Sequence, residues 1–94
     1  MKAILYSEWN PEDLGKIVQK NREIQEERKK FPDRYPNPLS LAYTTRPGHS
    51  FRLYEGTEEQ FINLATRWVP ETKAEIVPIF ESTMVFEAWE KLKK

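Results

Sequence analysis

Short apolar segments along the chain predict four β-strands. These segments are residues 2–8, 39–45, 50–55 and 73–81. The second segment alternates Leu41 and Tyr43 with smaller or more polar residues, which is the pattern of a half-buried strand. Residues 46–49 contain a proline followed by a glycine and predict the turn of a hairpin between the second and third strands.

Apolar residues at helical spacing predict three helices between and after these strands. The first helix is expected to begin at Asn10, whose side chain can cap it, and to end near Lys30. Residues 57–60 have the residue types of a capping box at the start of the second helix, which ends at Pro70. Ser82 is expected to cap a third helix.

A chain of 94 residues has room for one hydrophobic core, so we expect residues 1–94 to form a single domain. The order β-α-β-β-α-β predicts a ferredoxin-like α+β fold, an antiparallel sheet with helices on one face and an extra C-terminal helix. Right-handed crossovers place the first and third strands in the centre of the sheet. Pro78 agrees with an edge position for the fourth strand, because proline cannot donate a hydrogen bond to a neighbouring strand.

The face of the sheet opposite the helices, here called the open face, is also expected to be apolar. The first strand is apolar on both sides up to Tyr6, and the fourth strand places Ile76 and Phe80 on one side and Val77 and Ile79 on the other. At about 25 cal/mol per Å², leaving several such side chains in water would cost several kcal/mol. We therefore expect this face to be covered, either by the C-terminal helix of the same chain or by a second copy in a homodimer.

The composition excludes several classes of function. Fifteen basic residues balance fifteen acidic ones, so the basic field of a nucleic-acid-binding protein is missing. The chain has no cysteine and one histidine, which excludes disulfides, thiol chemistry and metal sites built from cysteine or several histidines. We expect no metal, no cofactor and no nucleic-acid partner.

The apolar segments are too short to place the chain in a membrane. None approaches the roughly 20 apolar residues of a membrane-spanning helix, and Glu8 interrupts a run at the N-terminus that is already too short for a signal peptide. We expect a cytoplasmic protein. Thirteen glutamates against two aspartates, with abundant lysine, resemble the surface composition of hyperthermophile proteins.

The register of the predicted hairpin decides which side chains share a face. A four-residue turn flanked by Thr45 and Ser50 would pair Tyr43 with Arg52. Phe51 and Leu53 would then face the helices. A shift of the register by one residue would reverse this assignment.

With that register, the candidate ligand-binding residues are Tyr6, Tyr43, Arg52 and Tyr54 on the open face, together with His49 in the turn. Arg52 could hold a carboxylate through two parallel hydrogen bonds, and the tyrosines could orient the bound molecule. His49 is the one imidazole in the chain and a candidate base. The same tyrosines and arginine also suit a seam between two protomers, where these residue types are common, and both interpretations stay open.

The element order and the apolar second face, with residues 9–12 (WNPE), 53–55 (LYE) and 77–82 (VPIFES), resemble small proteins of the dimeric α+β-barrel superfamily, closest to its members of unknown function. The resemblance implies a homodimer with a cavity between helices and sheet or across the dimer. It implies a small apolar or anionic ligand in that cavity or, alternatively, a cofactor-independent isomerase or monooxygenase. No catalytic residue is carried over, and the later helix has no histidine where a haem ligand would be expected.

Overall fold

The computed structural model describes residues 1–93, which form an open five-stranded antiparallel sheet and three α-helices. The strands are β1 (Lys2–Trp9), β2 (Asn37–Pro38), β3 (Tyr43–Arg46), β4 (His49–Glu55) and β5 (Thr72–Pro78), and the helices are α1 (Leu14–Lys30), α2 (Glu58–Trp68) and α3 (Ser82–Lys93). A short 3-10 turn, Pro11–Asp13, precedes α1. The predicted α+β class is confirmed.

The strands lie in the order β2, β4, β1, β5, and β3 also pairs with β4. Each of these pairs is antiparallel. The predicted first and third strands, β1 and β4, therefore occupy the centre, and β5 is an edge strand. Pro78 is the last residue of β5, opposite Ala3, and so ends the strand at the edge where a missing N–H is tolerated.

Of the predicted second strand, residues 39–45, only residues 43–45 belong to a strand; residues 39–42 do not, and β2 lies before them. β2 ends at Pro38 and β3 begins only at Tyr43. Between them, a side-chain hydrogen bond replaces the regular ladder: the hydroxyl of Ser40 accepts a hydrogen bond from the backbone N–H of Leu53 at 3.1 Å. Side-chain hydrogen bonds of serine compete with strand pairing in this way.

The predicted Asn10 cap is present at the 3-10 turn before α1, and the predicted capping box is present at the start of α2. The Asn10 side chain accepts a hydrogen bond from the backbone N–H of Glu12 at 3.0 Å, and the 3-10 turn leads directly into α1. Thr57 and Gln60 form the complete capping box of α2, with bonds of 3.2 Å and 2.9 Å. Local sequence signals therefore fix the starts of the 3-10 turn and of α2, whereas α1 itself begins later than predicted, at Leu14, without a side-chain cap.

The hydrophobic core lies between the sheet and the two helices α1 and α2. Its buried apolar residues are Ala3, Leu5, Ile24, Tyr35, Tyr54, Phe61 and Leu64. The ring of Tyr54 on β4 meets the ring of Phe61 on α2 edge to face, with centroids 6.3 Å apart. This contact shows that Tyr54 belongs to the helix side of the sheet.

The third helix does not cover the open face of its own sheet. All residues of α3 are exposed, including Trp89 and Leu92. The expectation that α3 closes the open face within one chain is therefore wrong. The chain leaves β5 along the strand direction, because the backbone N–H of Ile79 still donates to the carbonyl oxygen of Lys2 at 3.0 Å.

Candidate ligand-binding cleft

The turn of the hairpin is shorter than predicted, and a bulge beside the turn shifts the register of the hairpin. Arg46 pairs with His49, so Pro47 and Gly48 alone form the turn, and Gly48 has a φ of 82°. Proline followed by a residue with positive φ is the pattern of a type II turn. Thr45 is the extra residue of a bulge between Thr44 and Arg46 in the ladder.

The bulge and the short turn place Tyr43 opposite Phe51 instead of Arg52. The ring centroids of these two residues lie 5.6 Å apart, and that of Phe51 lies 6.1 Å from that of Tyr6. The predicted pairing of Tyr43 with Arg52 is therefore wrong by one residue, because the bulge adds Thr45 to β3 without a partner on β4. Since side chains alternate along a strand, the shift moves each side chain of β4 to the other face.

The structure divides the predicted ligand-binding residues between the two faces. Tyr6 and Tyr43 lie together on the open face, and His49 lies at the turn end of that face opposite Glu8. Arg52, opposite Leu5, and Tyr54, opposite Ala3, lie on the helix side. The expectation that the tyrosines and Arg52 share the open face is wrong. Their role in binding stays a prediction.

Arg52 and Tyr54 line a cleft of about 320 Å³ between the sheet and the helices α1 and α2. Its apolar and aromatic walls include Leu5, Trp9, Leu14, Ile17, Val18 and Trp68. Among the described lining residues there is no carboxylate and no histidine. The cleft is therefore apolar with a cationic wall, in the size range of small-molecule sites.

Arg52 is held in the cleft by a backbone bond. Its Nε donates to the carbonyl oxygen of Ser40 at 2.8 Å, and its guanidinium carbon lies 5.7 Å from the centroid of the Tyr54 ring. Within residues 1–93, no carboxylate lies within 4.0 Å of a guanidinium nitrogen of Arg52 or of Arg22, a second arginine of the cleft wall. The two Nη groups of Arg52 therefore keep their capacity to bind an anion.

Arg28 of α1 adds positive charge near the same ring. Its guanidinium carbon lies 5.9 Å from the centroid of Tyr54, and its Nε is buried without a hydrogen-bond partner. Both arginines thus lie within the range of cation–π attraction to the ring of Tyr54. The charges around this part of the cleft favour an anionic ligand.

Reasoning from the sequence missed Trp9, Trp68 and the residues of α1 as walls of the candidate site. Proline followed by glycine predicts the two-residue turn, but that turn alone keeps Tyr43 opposite Arg52, so it does not reveal these walls. The bulge beside this turn is what places Arg52 on the helix side of the sheet.

Two further findings concern the described part of the chain. Residues 1–93 contain no group of three or more histidine, cysteine, aspartate or glutamate side chains placed to hold a metal ion. In the same residues, no helix is both long and apolar enough to cross a bilayer. Comparison with protein-family models, with curated proteins and with solved structures finds no match for this chain.

Proposed function

We propose that the chain is a binding protein for a small organic anion with an apolar or aromatic body, held in the cleft between sheet and helices. The observation that carries the proposal is Arg52. Its side chain is half-buried, fixed by the carbonyl oxygen of Ser40, and has no carboxylate partner within the described residues. Desolvating an arginine is costly, and a bound carboxylate would compensate that cost with charge-assisted hydrogen bonds.

The apolar walls select the rest of the ligand. Trp9 and Trp68 offer flat aromatic surface, and α1 contributes Leu14, Ile17 and Val18. A cleft of about 320 Å³ is at the lower end of the range for small-molecule sites. The ligand class is therefore a compact aromatic or branched carboxylate rather than a nucleotide or a long-chain lipid.

Binding without chemistry fits the cleft better than the alternative of an isomerase or monooxygenase. General acid–base catalysis needs a group that exchanges a proton with the substrate, most often histidine or a carboxylate. The described lining residues offer Tyr54 as the only phenol and neither of those groups. His49 lines a different cavity on the open face.

We also propose that the sheet is ferredoxin-like and that two copies form a dimeric α+β barrel. The strand order β2, β4, β1, β5 supports the first part of the proposal. The open face supports the second part, because it combines Tyr6, Tyr43 and Phe51 with neighbouring apolar side chains. A second copy of the chain would remove this aromatic surface from water.

The binding proposal is tested by titrating the protein with benzoate and with benzamide, which has nearly the same shape but no charge. Trp9 and Trp68 in the cleft wall report occupancy through their fluorescence, and calorimetry gives the affinity. We expect benzoate to bind at least tenfold more tightly than benzamide. Equal affinity for the two molecules, or no binding of either at millimolar concentration, would contradict the proposal.

The role of Arg52 is tested by Arg52→Met, with Arg46→Met as the matched control on the hairpin turn outside the cleft. A charge-assisted hydrogen bond contributes about 1.5–3 kcal/mol, so Arg52→Met should weaken benzoate binding roughly ten- to hundredfold. Arg46→Met should leave it within about twofold. An equal loss in both variants would mean that net charge, and not the cleft, attracts the anion.

A further inference from the structure

α3 carries an apolar stripe that residues 1–93 leave largely exposed, although the ammonium nitrogen of Lys93 lies 4.9 Å from the centroid of the Trp89 ring. At 100° per residue, Val85, Ala88, Trp89 and Leu92 fall on one side of the helix, and Thr83, Glu87 and Glu90 fall on the other. Val85 is 56%, Trp89 57% and Leu92 85% exposed. An amphipathic helix is stable mainly when its apolar side is packed, so this stripe indicates a missing partner.

The open face of the sheet is a second apolar surface without a partner. Tyr6 and Phe51 lie on it beside Tyr43, and the pairing of β1 with its neighbours adds Ile4, Leu53 and Val77. The face also holds a cavity of about 700 Å³ lined in part by Tyr6 and Phe51. Aromatic side chains are the usual anchors for such concave surfaces, and the stripe of α3 offers Trp89.

The departure of the chain from β5 directs α3 away from its own sheet. Ile79 still bonds to Lys2 in the direction of the strand, and the ammonium group of Lys2 lies 3.9 Å from the carboxylate of Glu81. Only residues 79–81 separate β5 from α3. The chain therefore holds the start of α3 beyond the end of the sheet.

The surface area of the chain agrees with a missing partner. The accessible surface is 7016 Å², whereas a compact monomer of 11.2 kDa exposes about 5,700 Å². The radius of gyration is 15.7 Å, against about 12 Å for a compact domain of this length. The excess of about 1,300 Å² per chain equals about 2,600 Å² for a pair, which is the size of an obligate dimer interface.

We infer that α3 of each protomer packs across the open face of a second copy of this chain, in a reciprocal exchange. The inference rests on the homodimer of the proposed function and names the element that closes it. A helix of twelve residues is about 18 Å long, which matches the width of a four-stranded sheet, about 15–20 Å. The formal net charge of zero leaves no overall repulsion between copies.

The first test measures molecular mass by light scattering and sedimentation for the full chain, for Val85→Glu and for Thr83→Glu. Both substitutions add one negative charge to the first turns of α3, the former within the stripe and the latter opposite it. We expect the full chain and Thr83→Glu to have twice the 11.2 kDa mass of one chain, and Val85→Glu to dissociate at least tenfold more readily. Circular dichroism checks that all three fold.

The outcomes separate this inference from the proposed function. A Val85→Glu variant that dimerises as tightly as the full chain would overturn the role of α3 and leave the dimer standing. A full chain that stays monomeric at every concentration would overturn both the role of α3 and the proposed homodimer. Benzoate titration of the same samples tests the cleft independently, because α3 contributes no residue to its lining.

The second test locates α3 by cross-linking, which is direct because the chain has no cysteine. A chain with Ala88→Cys and a chain with Glu75→Cys are mixed, allowed to exchange subunits and treated with a short bismaleimide. We expect a cross-linked product between the two different chains. Cross-links that form only between two identical chains would overturn the inference. A single chain that carries both substitutions and cross-links within itself would overturn it as well.

Discussion

Arg67 of α2 holds the carboxylate of Glu27 on α1 with three hydrogen bonds: Nε donates to Oε1 at 3.1 Å and to Oε2 at 3.2 Å, and Nη2 donates to Oε2 at 2.9 Å. The hydroxyl of Tyr35 donates to the same carboxylate at 2.5 Å, and Glu23 accepts from Arg67 at 3.1 Å. Glu27 therefore connects both helices to the segment between α1 and β2. Because both side chains of the pair are largely shielded from water, this ion pair should contribute more than an exposed one.

We expect Arg67→Met to lower the free energy of unfolding by about 1–3 kcal/mol, because the Glu27 carboxylate loses its main partner. The midpoint of thermal unfolding should fall by about 4–8 °C for each kcal/mol. Lys29→Met is the control, since it removes only the exposed pair with Glu26 at 3.6 Å and should cost less than about 0.5 kcal/mol. Equal effects of the two substitutions would show that the Arg67 pair is no stronger than a surface contact.

The acid stability of the fold should depend on Glu27. Its hydrogen bonds with Arg67, and then with Tyr35, lower the pKa of Glu27 below its ordinary value of 4.5. The unfolded state then binds more protons than the folded state, so the stabilisation is complete above about pH 4.5 and is lost as the pH falls through the pKa of folded Glu27. Urea unfolding between pH 3 and 7 should show this decline.

Glu27→Gln should reduce both the stability near neutral pH and its decline in acid. A residual decline is expected, because Lys20 lowers the pKa of Glu71 in the same direction. Glu26→Gln serves as the control on the exposed side of α1. If Glu27→Gln showed the same slope with pH as the unsubstituted chain, the Glu27 carboxylate would not be coupled to folding.

Two glycines should respond to alanine in opposite directions. Gly48 has a φ of 82°, and a Cβ there would clash with the carbonyl oxygen of Trp9, so Gly48→Ala should cost about 1–3 kcal/mol. Gly15 lies in α1 with nothing within 4 Å of a Cβ, so Gly15→Ala should stabilise by up to about 1 kcal/mol. Chemical denaturation measures both. A neutral Gly48→Ala would contradict the two-residue turn.

The register of the hairpin can be checked by nuclear Overhauser effects in solution. We expect contacts between the rings of Tyr43 and Phe51 and between those of Phe51 and Tyr6, whose centroids lie 5.6 Å and 6.1 Å apart. The ring of Tyr54 should instead contact Phe61. Contacts of Tyr43 with the side chain of Arg52 in place of Phe51 would contradict the bulge at Thr45 and return Arg52 to the open face.

Much of the fold is predictable because its signals are local. The bonds of Asn10 and of the box at Thr57 and Gln60 connect residues two or three positions apart, so they follow from the nearby sequence. The candidate cleft was less predictable. Its cation, Arg52, was identified as a candidate, but the face it occupies depends on a bulge at Thr45 that alternation alone does not reveal.

The sequence by itself determined the α+β class, the start of α2, the cap of the 3-10 turn before α1 and the central position of β1 and β4. Caps, the hydrophobic period and the handedness of crossovers act through local or topological constraints. Only the tertiary structure decided the face of Arg52 and the place of α3. Both depend on contacts between distant segments: the carbonyl oxygen of Ser40 with Arg52, and the bond of Ile79 to Lys2. A register shift of one residue leaves the hydrophobic pattern of the sequence unchanged but moves a side chain to the other face of the sheet. In the same way, the pattern does not show that residues 79–81 continue the direction of β5 and so carry α3 away from the sheet.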